Sequence, residues 1–193
     1  MSSPRLILAS GSPRRKDLLE RLGLTFAIQP ADIDETPGDD EAPVPLVERL
    51  ALSKARAVLA ATEGPRLILA ADTIVVRDDV ILNKPVDVAD ARAILGSLQG
   101  RSHVVITGFA LARDDGREHV QHVRTQVTFR PLSDALIADY VATGEPMDKA
   151  GAYGVQEIGA KLVARIEGSY TNVVGLPLVE VLDALPALGG PRL

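Results

Sequence analysis

The 193-residue chain has no cysteine and no tryptophan, and only three tyrosines and three phenylalanines. The missing cysteine excludes disulfides, thiolate nucleophiles and cysteine-ligated zinc or iron–sulfur sites. So few rings leave little for stacking on bases, and a net charge of −5 lacks the basic footprint of a duplex binder. No run approaches the roughly 20 apolar residues of a membrane span. The start lacks the basic, apolar and small-residue segments of a secretory signal. The expectation is a cytoplasmic protein with no nucleic-acid or membrane partner. Repeats, low-complexity segments and long linkers are also absent. What is present is a chain that is 46% hydrophobic. At this length folding should bury about 70% of the surface that the unfolded chain exposes.

The first fifteen residues carry the strongest signal. An apolar run over 6–9 reads as a buried strand and breaks into Ser10-Gly11-Ser12-Pro13-Arg14-Arg15; Leu18, Leu19 and Leu22 then recur at helical spacing. Ser12 suits an N-cap and Pro13 the first helical position. Arg14 and Arg15 therefore fall in the first turn, where the helix dipole disfavours cations. Helix N-termini bind anions, and a guanidinium fork matches phosphate oxygens. The turn looks like a phosphate cradle; the alternative is a pair of solvent-facing arginines.

Further along, the pattern predicts a strand over 25–29, an acidic, proline-bearing loop over 32–43, and a helix whose apolar face is Val47, Leu50, Ala51 and Val58. A strand over 66–71 continues through Val76 to a turn at 77–79, followed by a helix over 86–98. Strands over 103–112 and 120–129 flank Asp114-Asp115-Gly116, a hairpin signal. Ser133 caps a helix to about 142, a last strand covers 161–166 and a last helix 174–185. The tail from 186 on reads as frayed. Strand–helix alternation with a hairpin predicts an α/β fold: a mixed sheet with flanking helices, in one domain with room for two lobes.

Two charged residues stand out of place. Asp72 interrupts the apolar run Leu67-Ile68-Leu69-Ala70-Ala71 before Thr73-Ile74-Val75-Val76. A buried carboxylate is costly unless it is paired or binds a metal, so a structural ion pair and a functional site are both open. Lys54 lies four residues after Leu50 and four before Val58, on the apolar face of its helix. It either snorkels outward or reaches a buried anion. Glu35, in Asp32-Ile33-Asp34-Glu35, belongs to a solvated turn or supplies an oxygen ligand to magnesium or manganese, which bind with substrate phosphates and few protein carboxylates. Lys84, in Asn83-Lys84-Pro85, is by itself ordinary turn chemistry. Residues 148–156 mix small residues with Lys149, Tyr153 and Gln156. Small residues admit a ligand close to the backbone, and the Gln156 amide both donates and accepts, as reading a base edge requires. Residues 168–172 form either a second anion-binding helix start or a plain cap. The chain has no P-loop, no dinucleotide glycine fingerprint and no nucleophile elbow. His119 and His122 fall on opposite faces of a predicted strand and His103 stands alone; no histidine is given a role.

Taken in order, these segments resemble the Maf family of nucleoside triphosphate pyrophosphatases. The segments are LASGSPRR at 8–15, DE at 34–35, Lys54, AADTIV at 70–75, NKP at 83–85, DKAGAYGVQ at 148–156 and GSYTNVVGLP at 168–177. The resemblance implies metal-dependent hydrolysis of a nucleoside triphosphate to monophosphate and pyrophosphate, with Mg²⁺ or Mn²⁺ as cofactor. It implies a two-lobed, ITPase-like α/β fold with the cleft between the lobes, and commonly a homodimer. Asp72 matches the proton acceptor of the family. Ser10, Arg14, Arg15, Glu35, Lys54, Lys84 and Gln156 match residues lining the substrate and metal site, with Glu35 and Asp72 as candidate metal ligands. Arg14, Thr73 and Gln156 match the branch acting on dTTP and UTP. The branch acting on 7-methyl-GTP tends to carry tryptophan, glutamine and glutamate there. Members have also been linked to inhibition of septum formation, so a non-enzymatic regulator of cell division is the competing class.

Overall fold

The computed structural model describes residues 5–192. Strand β1 (Arg5–Leu8) leads into helix α1 (Pro13–Arg21), followed by β2 (Ala27–Ile28), a loop, and the long helix α2 (Pro43–Ala60). Then come β3 (Arg66–Arg77), β4 (Val80–Leu82), α3 (Val88–Leu98), β5 (Ser102–Arg113) and β6 (Glu118–Phe129). Helix α4 (Asp134–Ala142), β7 (Val163–Glu167), α5 (Tyr170–Val174) and α6 (Leu178–Ala184) complete the order. The strands form one seven-stranded sheet in the order β2-β1-β3-β5-β6-β7, with β4 on β3. β1 is parallel to both neighbours, with Ile7 opposite Ala27 and Ile68. β4 and β7 join antiparallel. The predicted mixed α/β sheet with flanking helices is therefore what forms.

The chain divides into two compact units. The first holds the described residues up to Asp72, Thr107–Val123 and those from Gly175 on; the second holds Thr73–Ile106 and Arg124–Val174. In the first unit, α2 packs on the sheet through small residues. Ala51 and Ala55 meet Ala9, Ala70, Ala110 and Ala112 beside Ile7, Val58 and Ile68. The approach is closest at Gly108 on β5, where a Cβ would lie 2.5 Å from the Val47 carbonyl oxygen. In the second unit, His103, Phe129 and Tyr153 pack edge to face, and the His103 Nε2 and the Tyr153 hydroxyl share a 2.7 Å hydrogen bond. Burial pulls the pKa of His103 down to about 4.

Several boundaries differ from expectation for physical reasons. Ser12 stands at the N-cap of α1 but its side chain caps nothing; its backbone N–H instead donates to the Ser10 hydroxyl. The caps of α3 and α4 form through Asp87 and Ser133, which accept from the Asp90 and Leu136 amides. The expected strand at 25–29 shrinks to two residues. The expected helix over 174–185 is two helices, broken where Gly175 takes a φ of +119° and Pro177 follows. The expected frayed tail is instead built in as far as its turn. Leu185–Leu188 is a 3₁₀ turn with Leu185 and Leu188 buried, and Arg113 donates to the Leu188 carbonyl. In the 168–172 segment Ser169 Oγ accepts from the Asn172 amide, the hydrogen bond of a cap. No helix among the described residues is long and apolar enough to cross a membrane.

Candidate functional site

Six of the nine residues singled out in the sequence lie in the first unit, and the structure brings them into two linked clusters. The turn after β1 forms the first. Ser10 is nearly buried, and its hydroxyl oxygen accepts from the Ser12 amide at 3.2 Å and from Arg15 Nη1 at 3.1 Å. Arg15 Nε donates to the Gly175 carbonyl at 2.7 Å. The guanidinium is thus pinned at two points, with its plane set by the main chain. Arg14 and Arg15 share the first turn of α1, which has no acidic residue. Burial holds Arg15 below its ordinary pKa; the carboxylate of Asp72 opposes this, the like charge of Arg14 adds to it, and Glu35 opposes it in turn.

The second cluster is centred on Lys54. Its ammonium does not snorkel. It is 8% exposed and donates to Asp72 Oδ1 at 2.7 Å, with Glu35 Oε1 at 2.9 Å. Asp72, also 8% exposed, is the last residue of the first unit, on β3. Two carboxylates from a strand and a loop therefore converge on one cation from a helix. The loop is held in place by residues that sequence reasoning passed over. Arg49 on α2 grips Glu41 with two hydrogen bonds of 2.7 and 2.6 Å and donates to the Thr36 carbonyl at 3.2 Å. Asp34 accepts from the Thr36 amide at 2.9 Å. Glu35 is thereby fixed between two tethered neighbours. The signal for Arg49 was available: it lies eight residues after Glu41, nearly two helical turns inside α2.

The Asp72 and Glu35 oxygens are hard donors that already converge on a cation, so the pair fits Mg²⁺ or Mn²⁺. Among the described residues no group of three or more possible metal ligands occurs. Mg²⁺ and Mn²⁺ are ions that take one or two protein carboxylates and complete their shells with water and phosphate.

The remaining three residues lie in the second unit, at separate places. Thr73 is half-buried on β3, Lys84 is exposed in the turn after β4, and Gln156 is half-buried in a loop. The Lys84 turn and the segment before Gln156 are joined through the Gly151 amide, which donates to the Asn83 carbonyl at 3.2 Å. Gly151 has a φ of +69° and a Cβ there would sit 2.8 Å from Val75, so only glycine fits.

The chain belongs to the Maf family: the family model described as Maf-like protein matches residues 5–188. Its relatives carry a more particular name. It is 52% identical over 190 residues to the dTTP/UTP pyrophosphatase of Citrifermentans bemidjiense, with 98% of both chains covered. It is 54% identical over 186 residues to the dTTP/UTP pyrophosphatase of Moorella thermoacetica, covering 96% of this chain and 95% of that one. Among solved structures it is similar to a nucleoside-triphosphatase / dITP/XTP pyrophosphatase from Mycobacterium abscessus. That match has a TM-score of 0.45 and 19% identity, and covers 65% of this chain and 74% of that one.

Proposed function

We propose that this chain hydrolyses dTTP and UTP, and by extension some 5-modified pyrimidine triphosphates, to the nucleoside monophosphate and pyrophosphate. The observation that carries the chemistry is the buried Lys54 joined to Asp72 and Glu35, beside a serine–arginine turn suited to phosphate. The names of relatives about half identical over nearly the whole chain support the substrate.

Asp72 accepts a proton from the attacking water, whose oxygen bonds to the α-phosphorus. The bond from that phosphorus to the bridging oxygen breaks, and pyrophosphate leaves as a stable anion. Phosphoryl chemistry of this kind is mostly positioning and charge stabilisation. Arg15, with its plane fixed by Ser10 and Gly175, presents donors to phosphate oxygens. Arg14 and Lys84 add positive charge, and Ser10 has a hydroxyl proton to donate. Lys54, in contact with both carboxylates, aims Asp72 and Glu35 at one point. A divalent ion bound by Asp72 and Glu35 would supply charge neutralisation at the phosphates. Thr73 and Gln156 are given to the base: Thr73 is small, and Gln156 offers a donor and an acceptor to a pyrimidine edge.

The test is pyrophosphate release across a nucleotide panel with and without EDTA. Expected are monophosphate and pyrophosphate from dTTP and UTP in preference to ATP, GTP and 7-methyl-GTP, with activity lost in chelator and restored by Mg²⁺ or Mn²⁺. Diphosphate and orthophosphate as products would refute attack at the α-phosphorus. Preference for 7-methyl-GTP would refute the roles of Thr73 and Gln156. No turnover of any nucleotide would favour a regulator of cell division. The same reading includes a homodimer, checked by sedimentation, and a cytoplasmic location, checked by fractionation.

A further inference from the structure

Gln156 sits in a six-residue segment, 154–159, that begins and ends with glycine. Its two ends touch. A Cβ on Gly159 would overlap the Gly154 carbonyl oxygen and lie 2.6 Å from the Tyr140 hydroxyl. One polar pair ties both ends. The Tyr140 hydroxyl accepts from the Gly154 amide at 3.2 Å and donates to Glu145 Oε1 at 2.9 Å. Glu145 Oε1 also accepts from the Gly159 amide at 3.0 Å, and Oε2 accepts from the Ile158 amide at 2.9 Å. Tyr140 is fully buried on α4. Burial, with Glu145 alongside, pushes its pKa up, so the hydroxyl keeps its proton and can donate. Lys149 braces the same place. Its ammonium donates to the Glu145 carbonyl at 2.6 Å, and its stem occupies the space a side chain on Gly154 would need.

Three main-chain amides of a short loop are therefore held by one phenol and one carboxylate, neither of which has a part in the chemistry above. We propose that Tyr140 and Glu145 are positioning residues that determine base specificity, by closing 154–159 into a fixed loop that sets where the Gln156 amide stands. The proposal rests on the role given to Gln156 in the preceding section. Its physical basis is geometric. A recognition group must be held to within about 0.5 Å to read one pattern of donors and acceptors. An amide on a loose loop pairs with several edges, so mismatched bases lose less than the matched one. Cytosine is the informative mismatch, because it has the ring size of uracil with donor and acceptor exchanged at its 3- and 4-positions.

Tyr140→Phe removes the hydroxyl and keeps the packed ring. Glu145→Gln keeps the shape and turns one acceptor into a donor facing an amide. The readout is kcat/KM for UTP, dTTP, CTP and GTP, together with the melting temperature. In both variants the UTP-to-CTP ratio should fall about tenfold or more, through a raised KM for UTP with kcat at saturation within a few-fold of the parent. Glu145→Asp, which keeps the charge but withdraws it, should fall in between. Glu145 is only half-buried, so its variants carry the test if Tyr140→Phe does not fold. A lower melting temperature with an unchanged UTP-to-CTP ratio would make the clasp purely structural and overturn the proposal. A parent protein that hydrolyses nucleotides without pyrimidine preference would instead overturn the role of Gln156, and the clasp proposal with it.

Discussion

Lys54→Met separates the stability of the candidate site from its chemistry. The substitution keeps the stem and removes the charge. Two carboxylates lose a partner, and they differ in exposure. The side chain of Asp72 is 11% exposed and lies 2.7 Å from the ammonium. That of Glu35 is 55% exposed, so water can replace its 2.9 Å contact. Removing one side of a buried pair costs about 3–5 kcal/mol, whereas an exposed pair contributes about 0–1 kcal/mol. The loss should therefore come almost wholly from the stranded charge of Asp72. Setting the better fit of an apolar methionine among apolar neighbours against it leaves a net cost of about 3 kcal/mol. For a chain of this size that lowers the melting temperature by about 6–12 °C. Urea unfolding and thermal melts followed by circular dichroism read the effect directly. The double variant Lys54→Met/Asp72→Asn strands no charge, so it should recover at least half of the loss. Pyrophosphate release should stay abolished in both. A single variant within about 0.5 kcal/mol of the parent, or a double variant no more stable than the single, would refute this account of the pair.

Asp72→Asn alone should fold and lose turnover by about 10²–10⁴-fold; near-normal turnover in pyrophosphate assays would reduce Asp72 to a structural ion pair. Gly108→Ala should cost at least about 1–3 kcal/mol, since its Cβ would meet helix backbone at 2.5 Å rather than a movable side chain; a melt indistinguishable from the parent would contradict that packing. His103 has a folded pKa of about 4, against about 6.5 in an unfolded chain. Between those values only the unfolded form takes up the proton. The contribution is thus complete above about pH 6.5 and is lost as pH falls toward 4, on the order of 3 kcal/mol in all. His103→Leu should flatten this part of the profile of urea midpoints against pH, and an unchanged slope would show that the loss arises elsewhere.

The elements that register most clearly in the sequence are those where a residue breaks its own local pattern. Lys54 on an apolar helix face and Asp72 in an apolar strand are each costly alone, and each explains the other. Their pairing could not be read from sequence, because it joins residues of a helix and a strand whose register only folding sets. The broken helix after Val174 was legible in principle. Gly175 and Pro177 are punctuation, but the apolar spacing on both sides suggested continuity. β4 is three residues long, too short for any period to register. The clasp of Tyr140 and Glu145 left no pattern because its partners are main-chain amides, which look alike in every sequence. The spacing of Gly154 and Gly159 was its only trace.

The hydrogen bond from Arg15 to Gly175 spans 160 residues, and its acceptor lies at position 175 of a chain of 193. During synthesis the first helix emerges early, but the carbonyl that orients its arginine is made 160 residues later. Contacts of such long separation form late, because the loop they close must be ordered first. A growing chain therefore displays the Ser10–Arg15 turn without the anchor that fixes its guanidinium. The turn takes its final form only after residue 175 has been made, and a protein cut short before Gly175 would carry Arg14, Arg15, Lys54 and Asp72 without the carbonyl that orients the Arg15 guanidinium.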